Sequence, residues 1–209
     1  MINVLIADDH PIVRQGLKRI LEEQPDIKVT IEARDGQQTL DLVSKKHCDV
    51  VVLDLDMPGK SGLDVLKVLK ESRPKLPVLI LSVHSEDQFA LRVLKAGASG
   101  YLTKESAPET LVKAVRRASE GKRYITSTVS ESLASELRAE RGDPPHTKLS
   151  DREFQVVRLI ASGKTVSEIA EEMCLSVKTI STYRARIMEK MEMKTNAELM
   201  HYAMINKLV

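Results

Sequence analysis

The sequence predicts an α/β doubly wound domain with a five-stranded parallel sheet of the flavodoxin-like kind, followed by a small all-α, four-helix domain. Over the first 121 residues, short apolar runs alternate with segments of helical period, which is typical of parallel strands joined by helices. After residue 121 the strand-sized runs cease and helical periods dominate. The apolar runs lie at 3–7, 27–33, 50–53, 78–82 and 100–102.

A helix is predicted after every strand, because apolar residues recur there at three- or four-residue intervals. The turn Gly97-Ala98-Ser99-Gly100 leads into the last strand. Helices would then cover both faces of the sheet and bury a core large enough to fold alone. The apolar face predicted for the first helix consists of Ile12, Gly16, Leu17, Ile20 and Leu21, and that of the third helix consists of Leu63, Leu66, Val68 and Leu69.

Length and composition limit the class of protein. A chain of 209 residues with 42% hydrophobic and 30% charged residues has ordinary globular composition and room for one or two domains. The longest apolar runs, such as Val78-Leu79-Ile80-Leu81, are too short to cross a membrane. No basic flank or cleavage site precedes the first strand, so we expect a cytoplasmic protein with no membrane partner. Cys48 and Cys174 are too few for a disulfide framework or a zinc cluster and are expected to be buried thiols.

The chain is predicted to have three parts: a first domain at 1–121, a linker at 122–147 and a second domain at 148–209. The linker is rich in Ser and Thr and has a predicted helix near Glu131–Arg141. It then contains Gly142-Asp143-Pro144-Pro145, which cannot continue a helix. The net charge of +2 arises in the second domain, where ten Lys and Arg stand against eight Asp and Glu.

Charged residues stand at the ends of three predicted strands. Asp8 and Asp9 follow the first strand, Asp54 ends the third, and Lys104 follows the fifth. Since parallel strands present their carboxyl ends at one edge of the sheet, these side chains are expected to share one crevice. Three carboxylates facing one ammonium suit a hard divalent cation with a phosphoryl group beside it.

Asp54 is the expected nucleophile of this crevice. The turn Leu55-Asp56-Met57-Pro58-Gly59 would expose its carboxylate while the strand holds it in place. Attack on phosphorus requires neutralisation of the phosphoryl oxygens, which Mg²⁺ and the point charge of Lys104 would supply. The expected metal-binding residues are Asp8, Asp9, Asp54 and Asp56, the last through its backbone carbonyl.

Two further residues are predicted at the same edge. Ser82 ends the fourth strand, where its hydroxyl would hydrogen-bond a phosphoryl oxygen. Tyr101 lies on the fifth strand, where its ring would turn inward once that hydroxyl moves. Each also has a plainer interpretation, a helix cap or solvent contact for Ser82 and a half-buried strand aromatic for Tyr101. His10 and His84 have no spaced partners, so they are expected to be surface residues rather than ligands.

Four motifs of the first domain resemble the receiver domain of two-component response regulators. They are Ala7-Asp8-Asp9-His10-Pro11, Leu53-Asp54-Leu55-Asp56-Met57-Pro58-Gly59, Leu81-Ser82-Val83 and Gly97-Ala98-Ser99-Gly100-Tyr101-Leu102-Thr103-Lys104. The resemblance implies that a sensor histidine kinase transfers a phosphoryl group to Asp54. It also implies an acidic pair, an active-site lysine and a switch pair, which are Asp8 with Asp9, Lys104, and Ser82 with Tyr101. Glu105 departs from the proline that many receivers have after the lysine, a variation that NarL-type regulators commonly show.

The second and third predicted helices of the second domain have the spacing of a helix-turn-helix. Small Ala170 lies inside the second helix, a short turn follows, and a basic amphipathic helix runs from Val177 to about Met191. Its apolar stripe is expected to face the core, so the small residues opposite would approach base edges and the basic residues would reach phosphates. The stripe consists of Val177, Ile180, Ile187 and Met191. The predicted DNA-contacting residues are Lys178, Thr179, Ser181, Thr182, Tyr183, Arg184, Ala185, Arg186 and Lys190.

Three motifs of this domain resemble the LuxR-type DNA-binding domain. They are Leu149-Ser150-Asp151-Arg152-Glu153, Gly163-Lys164-Thr165-Val166-Ser167-Glu168-Ile169-Ala170 and Ser176-Val177-Lys178-Thr179-Ile180-Ser181-Thr182-Tyr183. A receiver followed by this domain is the NarL/FixJ-type architecture. It implies control of transcription at double-stranded promoter DNA, a homodimer on activation and RNA polymerase as a further partner. Such a regulator accepts a phosphoryl group without turning over a substrate, so no enzyme activity is expected.

Two other classes of function fit part of the sequence. The segment Asp54-Leu55-Asp56 also resembles the nucleophile motif of haloacid-dehalogenase-type phosphatases, which hydrolyse small phosphoesters. That motif expects Gly-Thr or similar next, whereas Met57-Pro58-Gly59 follows here and Asp8-Asp9 would be unused. The second alternative is a transcription factor with a vestigial receiver that acts without phosphorylation, although all the acceptor-site residues are present.

Overall fold

The computed structural model describes residues 1–84, 86–126, 129–130, 144–206 and 208–209. The chain divides into two compact units, Met1–Leu137 and Arg138–Val209. This division falls inside the segment predicted to be a linker, and the linker bounds of 122 and 147 stay a prediction. The helix predicted near Glu131–Arg141 lies outside the described residues.

The first unit is a five-stranded parallel sheet with the strand order β2-β1-β3-β4-β5, which confirms the predicted fold class. Its strands are β1 (Ile2–Ala7), β2 (Ile27–Ala33), β3 (Val50–Asp54), β4 (Val78–Ser82) and β5 (Gly100–Thr103). Its helices are α1 (Pro11–Glu22), α2 (Gly36–Lys45), α3 (Gly62–Ser72), α4 (Glu86–Lys95) and α5 (Pro108–Ser119). Helix α1 packs beside α5, and α2 packs beside α3.

The central strands are apolar because both faces of the sheet are covered. Every residue of β3 and β4 is buried, whereas the edge strand β2 alternates between buried and more exposed positions. One buried cluster joins the sheet to α1 and α5 and includes Val4, Val52, Leu21 and Val115. The sheet therefore offers a rigid edge from which its loops carry polar residues.

The strand order changes direction between β1 and β3. The chain leaves β1 for β2 on one side and then crosses to β3 on the other side. Loops that leave two such strands diverge and open a crevice at the carboxyl edge of the sheet. Asp8 and Asp9 follow β1, and Asp54 ends β3, so acidic residues line this crevice.

In the first unit, two large apolar residues assigned to apolar helix faces lie instead toward solvent. Ile12 is 88% exposed, so the prediction that it shares the inner face of α1 with Leu21 is wrong. Ile12 stands nine residues before Leu21. At about 3.6 residues per turn that separation is two and a half turns, which puts the two side chains on opposite sides of the helix. Val68 of α3 is also exposed, whereas its neighbours Leu66 and Leu69 are buried.

The second unit is helical throughout its described residues, apart from turns. Its α-helices are α6 (Asp151–Ala161), α7 (Val166–Glu172), α8 (Val177–Met191) and α9 (Asn196–Ile205), and a short 3-10 helix, Pro145–Lys148, precedes them. The side chains of Ser150, Thr165, Ser176 and Thr195 cap the N-termini of the four α-helices in turn. Gly163, with φ +87°, follows the end of α6, as expected for a residue that must enter the left-handed region.

The two cysteines differ in environment. Cys48 is buried as predicted, but Cys174 is exposed, so the prediction of a second buried thiol is wrong. Cys174 lies in the turn between α7 and α8 with φ +52°, where the chain reverses at the surface. Among the described residues, no helix has both the length and the apolar character needed to cross a membrane.

Candidate functional site

The carboxyl edge of the sheet brings Asp54, Asp8 and Lys104 into one ion cluster. The Lys104 ammonium lies 2.8 Å from Asp54 Oδ2 and 2.8 Å from Asp8 Oδ2. Asp54 is 2% exposed and Asp8 is 1% exposed. The backbone N–H of Lys104 donates to the carbonyl of Ser82, which fixes the start of the loop after β5. Three strand ends thus supply one cation and two buried carboxylates, as the spacing of the motifs predicts.

Burial and charge act against each other on these groups. Burial raises the pKa of Asp54 to about 6, against the opposing hydrogen bond and charge of Lys104, while the charge of Asp8 adds to the rise. Burial would lower the pKa of Lys104, but its contacts with Asp54 and Asp8 outweigh burial and raise that pKa. Lys104 therefore stays charged, and the Asp54 carboxyl is mostly ionised only above about pH 6.

The same crevice has oxygens suited to a cation. Ligand atoms of Asp8, Asp9, His10 and Asp54 all lie within 4.8 Å of one another. Asp8 Oδ2 contacts the Lys104 ammonium, and Asp9 Oδ1 contacts a ring nitrogen of His10, both at 2.8 Å. Clustered carboxylates repel one another unless positive charge lies between them, and carboxylate oxygens are the ligands that Mg²⁺ prefers. The residues present therefore fit a divalent metal ion.

A tightly packed loop holds the end of β3. Gly62 donates its N–H to the carbonyl of Leu55 at 2.9 Å, so the chain returns to β3 within a few residues. A Cβ atom at Gly62 would lie 2.0 Å from the carbonyl oxygen of Asp54, which leaves no room for any side chain. Ser61 and Asp64 then form a capping box that starts α3. This close approach sets the position of the Asp54 backbone.

The side chains of Ser82 and Tyr101 both hydrogen-bond the backbone of His84. The Ser82 hydroxyl accepts the N–H of His84 at 3.1 Å, and the Tyr101 hydroxyl donates to the His84 carbonyl at 2.8 Å. Both side chains are buried, so the ring of Tyr101 already points inward in this structure. The loop after β4 is thereby tied to the ends of β4 and β5.

Two histidines that the sequence analysis expected at the surface contact the site. His84 Nε2 lies 2.8 Å from Asp56 Oδ2, and its ring stacks on Phe89 at 5.0 Å between centroids. His10 Nδ1 lies 2.8 Å from Asp9 Oδ1. His10 is exposed, yet it belongs to the cation-sized cluster. No spacing rule in the sequence indicates either contact, because both depend on how loops fold over the sheet edge.

Asp56 lies beside the cluster rather than in it. Its backbone N–H donates to Asp54 Oδ1 at 3.3 Å, and its carboxylate contacts His84. Its side chain does not belong to the group of close ligand atoms among the described residues. The predicted role of its backbone carbonyl as a metal ligand stays a prediction.

Helices α7 and α8 form the helix-turn-helix of the second unit. Ala170 is buried, and its carbonyl accepts the N–H of Leu175 as the chain turns. Ser176 then caps α8 by accepting the N–H of Thr179 at 3.0 Å. Small Ala170 and the left-handed backbone conformation of Cys174 together allow the sharp reversal between the two helices.

One side of α8 is exposed and polar. Ile180, Ile187 and Met191 are buried, whereas Val177, at the first position of the helix, is half exposed and does not belong to the buried stripe. Thr179 and Tyr183 are half-buried. The hydroxyls of Ser181 and Thr182 donate to carbonyls one turn earlier in the helix. The exposed residues among those predicted to contact DNA are Lys178, Ser181, Thr182, Ala185, Arg186 and Lys190.

Two predicted DNA-contacting residues have partners inside the unit. Arg184 Nε donates to Asn196 Oδ1 at 2.8 Å, which ties α8 to the start of α9. Lys190 Nζ contacts Glu153 Oε2 at 2.6 Å, and Glu153 is buried. Burial would raise the pKa of Glu153, but bonds from Lys190 and Ser150 hold it below its usual value. Glu153 was not predicted, and its capping-box position in Leu149-Ser150-Asp151-Arg152-Glu153 is the signal that would have found it.

Comparison with protein families agrees with both halves of this description. A family model described as the response regulator receiver domain matches residues 4–116. A second model, described as bacterial regulatory proteins of the luxR family, matches residues 147–203. The chain belongs to the NarL/FixJ family of response regulators. It is a DNA-binding response regulator of a two-component system that controls transcription.

Relatives of this response regulator match over nearly their whole length. Response regulator UvrY of Escherichia coli strain K12 is 39% identical over 204 residues, which cover 97% of this chain and 94% of UvrY. Response regulator GacA of Pseudomonas aeruginosa is 38% identical over 200 residues, covering 95% and 94% of the two chains. The structure of RcsB from Salmonella enterica serovar Typhimurium, bound to promoter rprA with the phosphomimetic BeF3⁻, has a TM-score of 0.66 and 30% identity. That match covers 97% of this chain and 98% of RcsB.

Proposed function

We propose that this response regulator accepts a phosphoryl group on Asp54 from the histidine of a sensor kinase, and that the modification switches dimerisation and promoter binding. The observation that carries the proposal is the ion cluster in which Lys104 lies 2.8 Å from both Asp54 and Asp8. Incubation with a small phosphodonor and Mg²⁺, followed by intact-mass measurement, is expected to add one phosphoryl group per chain. Absence of that group would contradict the proposal, and steady turnover of a generic phosphoester would favour an enzyme.

The transfer makes one bond and breaks another. A carboxylate oxygen of Asp54 forms a bond to phosphorus while the bond from phosphorus to the kinase histidine nitrogen breaks. That nitrogen keeps the electron pair and takes up a proton, so the phosphoryl group moves intact. Lys104 places its charge beside the transferring oxygens, and burial excludes water from the side of Asp54 that faces the sheet.

The proposed cofactor is Mg²⁺, held by Asp8, Asp9 and Asp54 with the backbone carbonyl of Asp56. Ligand atoms of Asp8, Asp9 and Asp54, which lie within 4.8 Å of one another, support this assignment. When bound, the ion would neutralise phosphoryl oxygens that approach Asp54.

Asp9→Ala is expected to weaken Mg²⁺ binding about tenfold or more, since loss of even an indirect partner of a metal typically costs that much. Labelling by a small phosphodonor should fall with it. The measurements are Mg²⁺ titration and labelling rate, with Asp41→Ala as control because Asp41 is an exposed helix residue bonded to Gln37. Unchanged affinity in the Asp9 variant would remove it from the ligand set.

Ser82→Ala tests the proposed switch. Because the Ser82 hydroxyl holds the N–H of His84, whose carbonyl accepts from Tyr101, its loss should uncouple this loop from the modified Asp54. We expect partial labelling of Asp54 but a reduced gain in dimerisation and DNA binding, measured by light scattering and operator titration. Ser72→Ala, at an exposed serine of α3, is the control. A phosphorylated Ser82 variant that dimerises and binds DNA like the parent would contradict the switch.

Promoter recognition is proposed for the exposed side of α8. Two observations support it: the helix-turn-helix geometry of α7 and α8, and the match of the luxR family model. RcsB, a structural relative, is described in a complex with promoter DNA. Small side chains such as Ser181 and Ala185 permit close approach to base edges, and Lys178 and Arg186 supply charge for phosphates.

Substitutions at Thr182 and at Arg186 are expected to change DNA binding in different ways. Replacement of Thr182 by a bulky residue should change which operator bases are preferred. The binding free energy should change by about 1–3 kcal/mol at each affected base pair. Arg186→Ala should weaken binding to every duplex and reduce the salt slope by about one unit. Affinities across mutated operators at several salt concentrations measure both, with Lys164→Ala as control because Lys164 pairs with Glu172. Uniform loss for Thr182 variants with altered base preference for Arg186→Ala would reverse the assignment.

The proposal extends to the division of the chain into domains and to its partners. We assign residues 1–121 to the phosphoacceptor domain, 122–147 to the linker and 148–209 to the DNA-binding domain. The partners are a sensor histidine kinase, a second copy on activation, promoter DNA and RNA polymerase, all met in the cytoplasm. The chain would not turn over a substrate, because the phosphoryl group stays on Asp54 as a signal.

A further inference from the structure

A cleft lies between α5 and the segment that follows it in the first unit. Its volume is about 570 Å³, which is within the range of small-molecule sites. The residues that line it are Lys113, Arg117, Arg123, Tyr124, Ile125 and Thr126. The three charged ones are exposed cations, and no acidic residue is among the lining residues that the structure describes. The cleft therefore presents positive charge alone.

The backbone beside Arg123 is fixed on both sides. Lys122 donates its N–H to the carbonyl of Arg117 at 3.0 Å, which turns the chain back at the end of α5. Tyr124 donates its N–H to the carbonyl of Ser99 at 2.7 Å, just before the start of β5. Main-chain bonds thus set Arg123 in the same cleft as Arg117, although the two side chains repel each other.

The cations of the cleft lack acidic partners. Over the described ranges, the side chains of Lys113, Arg117 and Arg123 form no ion pair or hydrogen bond. Lys122, in the same turn, differs because its ammonium lies 2.6 Å from Glu120 Oε2. The hydrogen bond and charge of Lys122 lower the pKa of Glu120, and the charge of Arg117 lowers it further. The acid that responds to Arg117 is therefore already paired with another cation.

The positive charge of the cleft also acts on a neighbouring lysine. Burial lowers the pKa of Lys70, and the charge of Arg123 lowers it further. The Lys70 ammonium is held in place by the carbonyl of Leu76, to which it donates at 2.6 Å. Like charges gathered in one place cost free energy, and a cleft of one sign of charge concentrates ions of the opposite sign. An anion bound in the cleft would offset that repulsion.

We propose that this cleft binds a small anion with two or more consecutive phosphoryl groups, either a free polyphosphate or the phosphate chain of a nucleotide. Three cations match several negative charges in a compact chain, and the guanidinium groups of Arg117 and Arg123 can each bind two phosphoryl oxygens. A concave cleft suits such an anion better than duplex DNA, whose charges follow an extended line. None of the residues assigned to phosphoryl acceptance or to DNA contact lines this cleft.

Calorimetric titration of the full chain with sodium triphosphate, in the absence of Mg²⁺, tests the proposal. Arg123→Ala and Arg117→Ala are each expected to weaken triphosphate binding at least about tenfold, because each removes charge-assisted hydrogen bonds. Lys28→Ala should change the affinity by less than about twofold. It is the control for net charge, since Lys28 is an exposed cation of β2, at the opposite edge of the sheet from β5. Equal losses in the Lys28 and Arg123 variants, or no binding by the parent, would overturn the site.

Thermal unfolding separates binding from a structural role of Arg123. Without triphosphate, Arg123→Ala should be at least as stable as the parent, because it removes repulsion. With triphosphate, Tm should rise in the parent and in Lys28→Ala but not in Arg123→Ala. An Arg123 variant that is destabilised without the anion would contradict the proposal.

Parallel titrations identify the source of the phosphoryl groups. Tighter binding of ATP than of triphosphate supports a nucleotide, and equal or weaker binding of ATP supports a free polyphosphate. If Arg123→Ala weakens duplex binding and leaves triphosphate binding unchanged, the cleft serves DNA phosphates and the proposal is wrong. Loss of triphosphate binding in Arg186→Ala would place the anion on α8 and would equally overturn it.

Discussion

Asp54→Asn is expected to abolish labelling by a small phosphodonor, because the amide keeps the shape of the side chain but lacks the nucleophilic carboxylate. Lys104 would keep its 2.8 Å contact with Asp8, so the variant should remain folded. The measurement is the mass of the intact chain before and after incubation with phosphodonor and Mg²⁺.

Asp56→Asn is the matched control for this result. It changes a neighbouring carboxylate that contacts His84 but preserves the backbone carbonyl of residue 56. Labelling in this control should persist, and its loss would show that any nearby charge change disables the site. Stoichiometric labelling of Asp54→Asn would move the acceptor to another residue.

Asp54→Asn is also expected to change how the stability of the fold depends on pH. Because the pKa of Asp54 is raised to about 6 in the folded chain, this carboxyl stabilises the fold fully only below its unfolded pKa. That contribution is lost as the pH rises through about 6. Asp54→Asn carries no charge, so its stability relative to the parent should increase between about pH 4 and pH 7, by at most about 3 kcal/mol. Chemical denaturation without Mg²⁺ at several pH values measures the difference.

Gly62→Ala is expected to cause the largest loss of stability, about 3 kcal/mol or more, because the new methyl group would overpack a rigid site. Its Cβ would lie 2.0 Å from the carbonyl oxygen of Asp54, and backbone cannot give way as a flexible side chain can. Labelling of Asp54 should fall as well, since relief of the clash must displace the acceptor backbone. Denaturation and hydrogen exchange of peptides that span residues 50–66 measure the two effects.

Gly16→Ala controls for the chemical change. Gly16 lies inside α1, and a Cβ there would meet nothing within 4 Å. Alanine is favoured over glycine in a helix, so this variant should gain about 0.5–1 kcal/mol. Equal stability of the two variants would mean that the loop after β3 relaxes freely and does not fix Asp54.

Much of the fold could be predicted because it depends on local periodicity. Strand-sized apolar runs and helical intervals gave each element within a few residues; the helix predicted at Val177 to about Met191 matches α8. The exposure of an apolar side chain was harder to predict where the residue lies away from the centre of a helix's apolar face. Ile12 and Val177 are apolar, yet their positions on the helices leave them toward solvent.

The candidate site was predictable in its charges but not in its contacts. Strand ends of a parallel sheet converge, so Asp8, Asp54 and Lys104 could be placed together without coordinates. The contacts of His10 and His84 depend on loop conformations, for which a sequence carries no period. The internal partners of Arg184 and Lys190 were missed for a related reason: a basic helix face predicts phosphate contacts equally well whether or not an acidic side chain lies within reach.

The buried carboxylate of Glu153 links the first and third α-helices of the second unit. One oxygen, Oε2, accepts the N–H of Ser150, where the chain enters α6, and also contacts the ammonium of Lys190 near the end of α8. The same oxygen therefore joins the start of α6 to the last turn of α8, in addition to the packing of the two helices on each other. Loss of the Glu153 carboxylate would therefore free both the N–H that begins α6 and the ammonium of Lys190 at once.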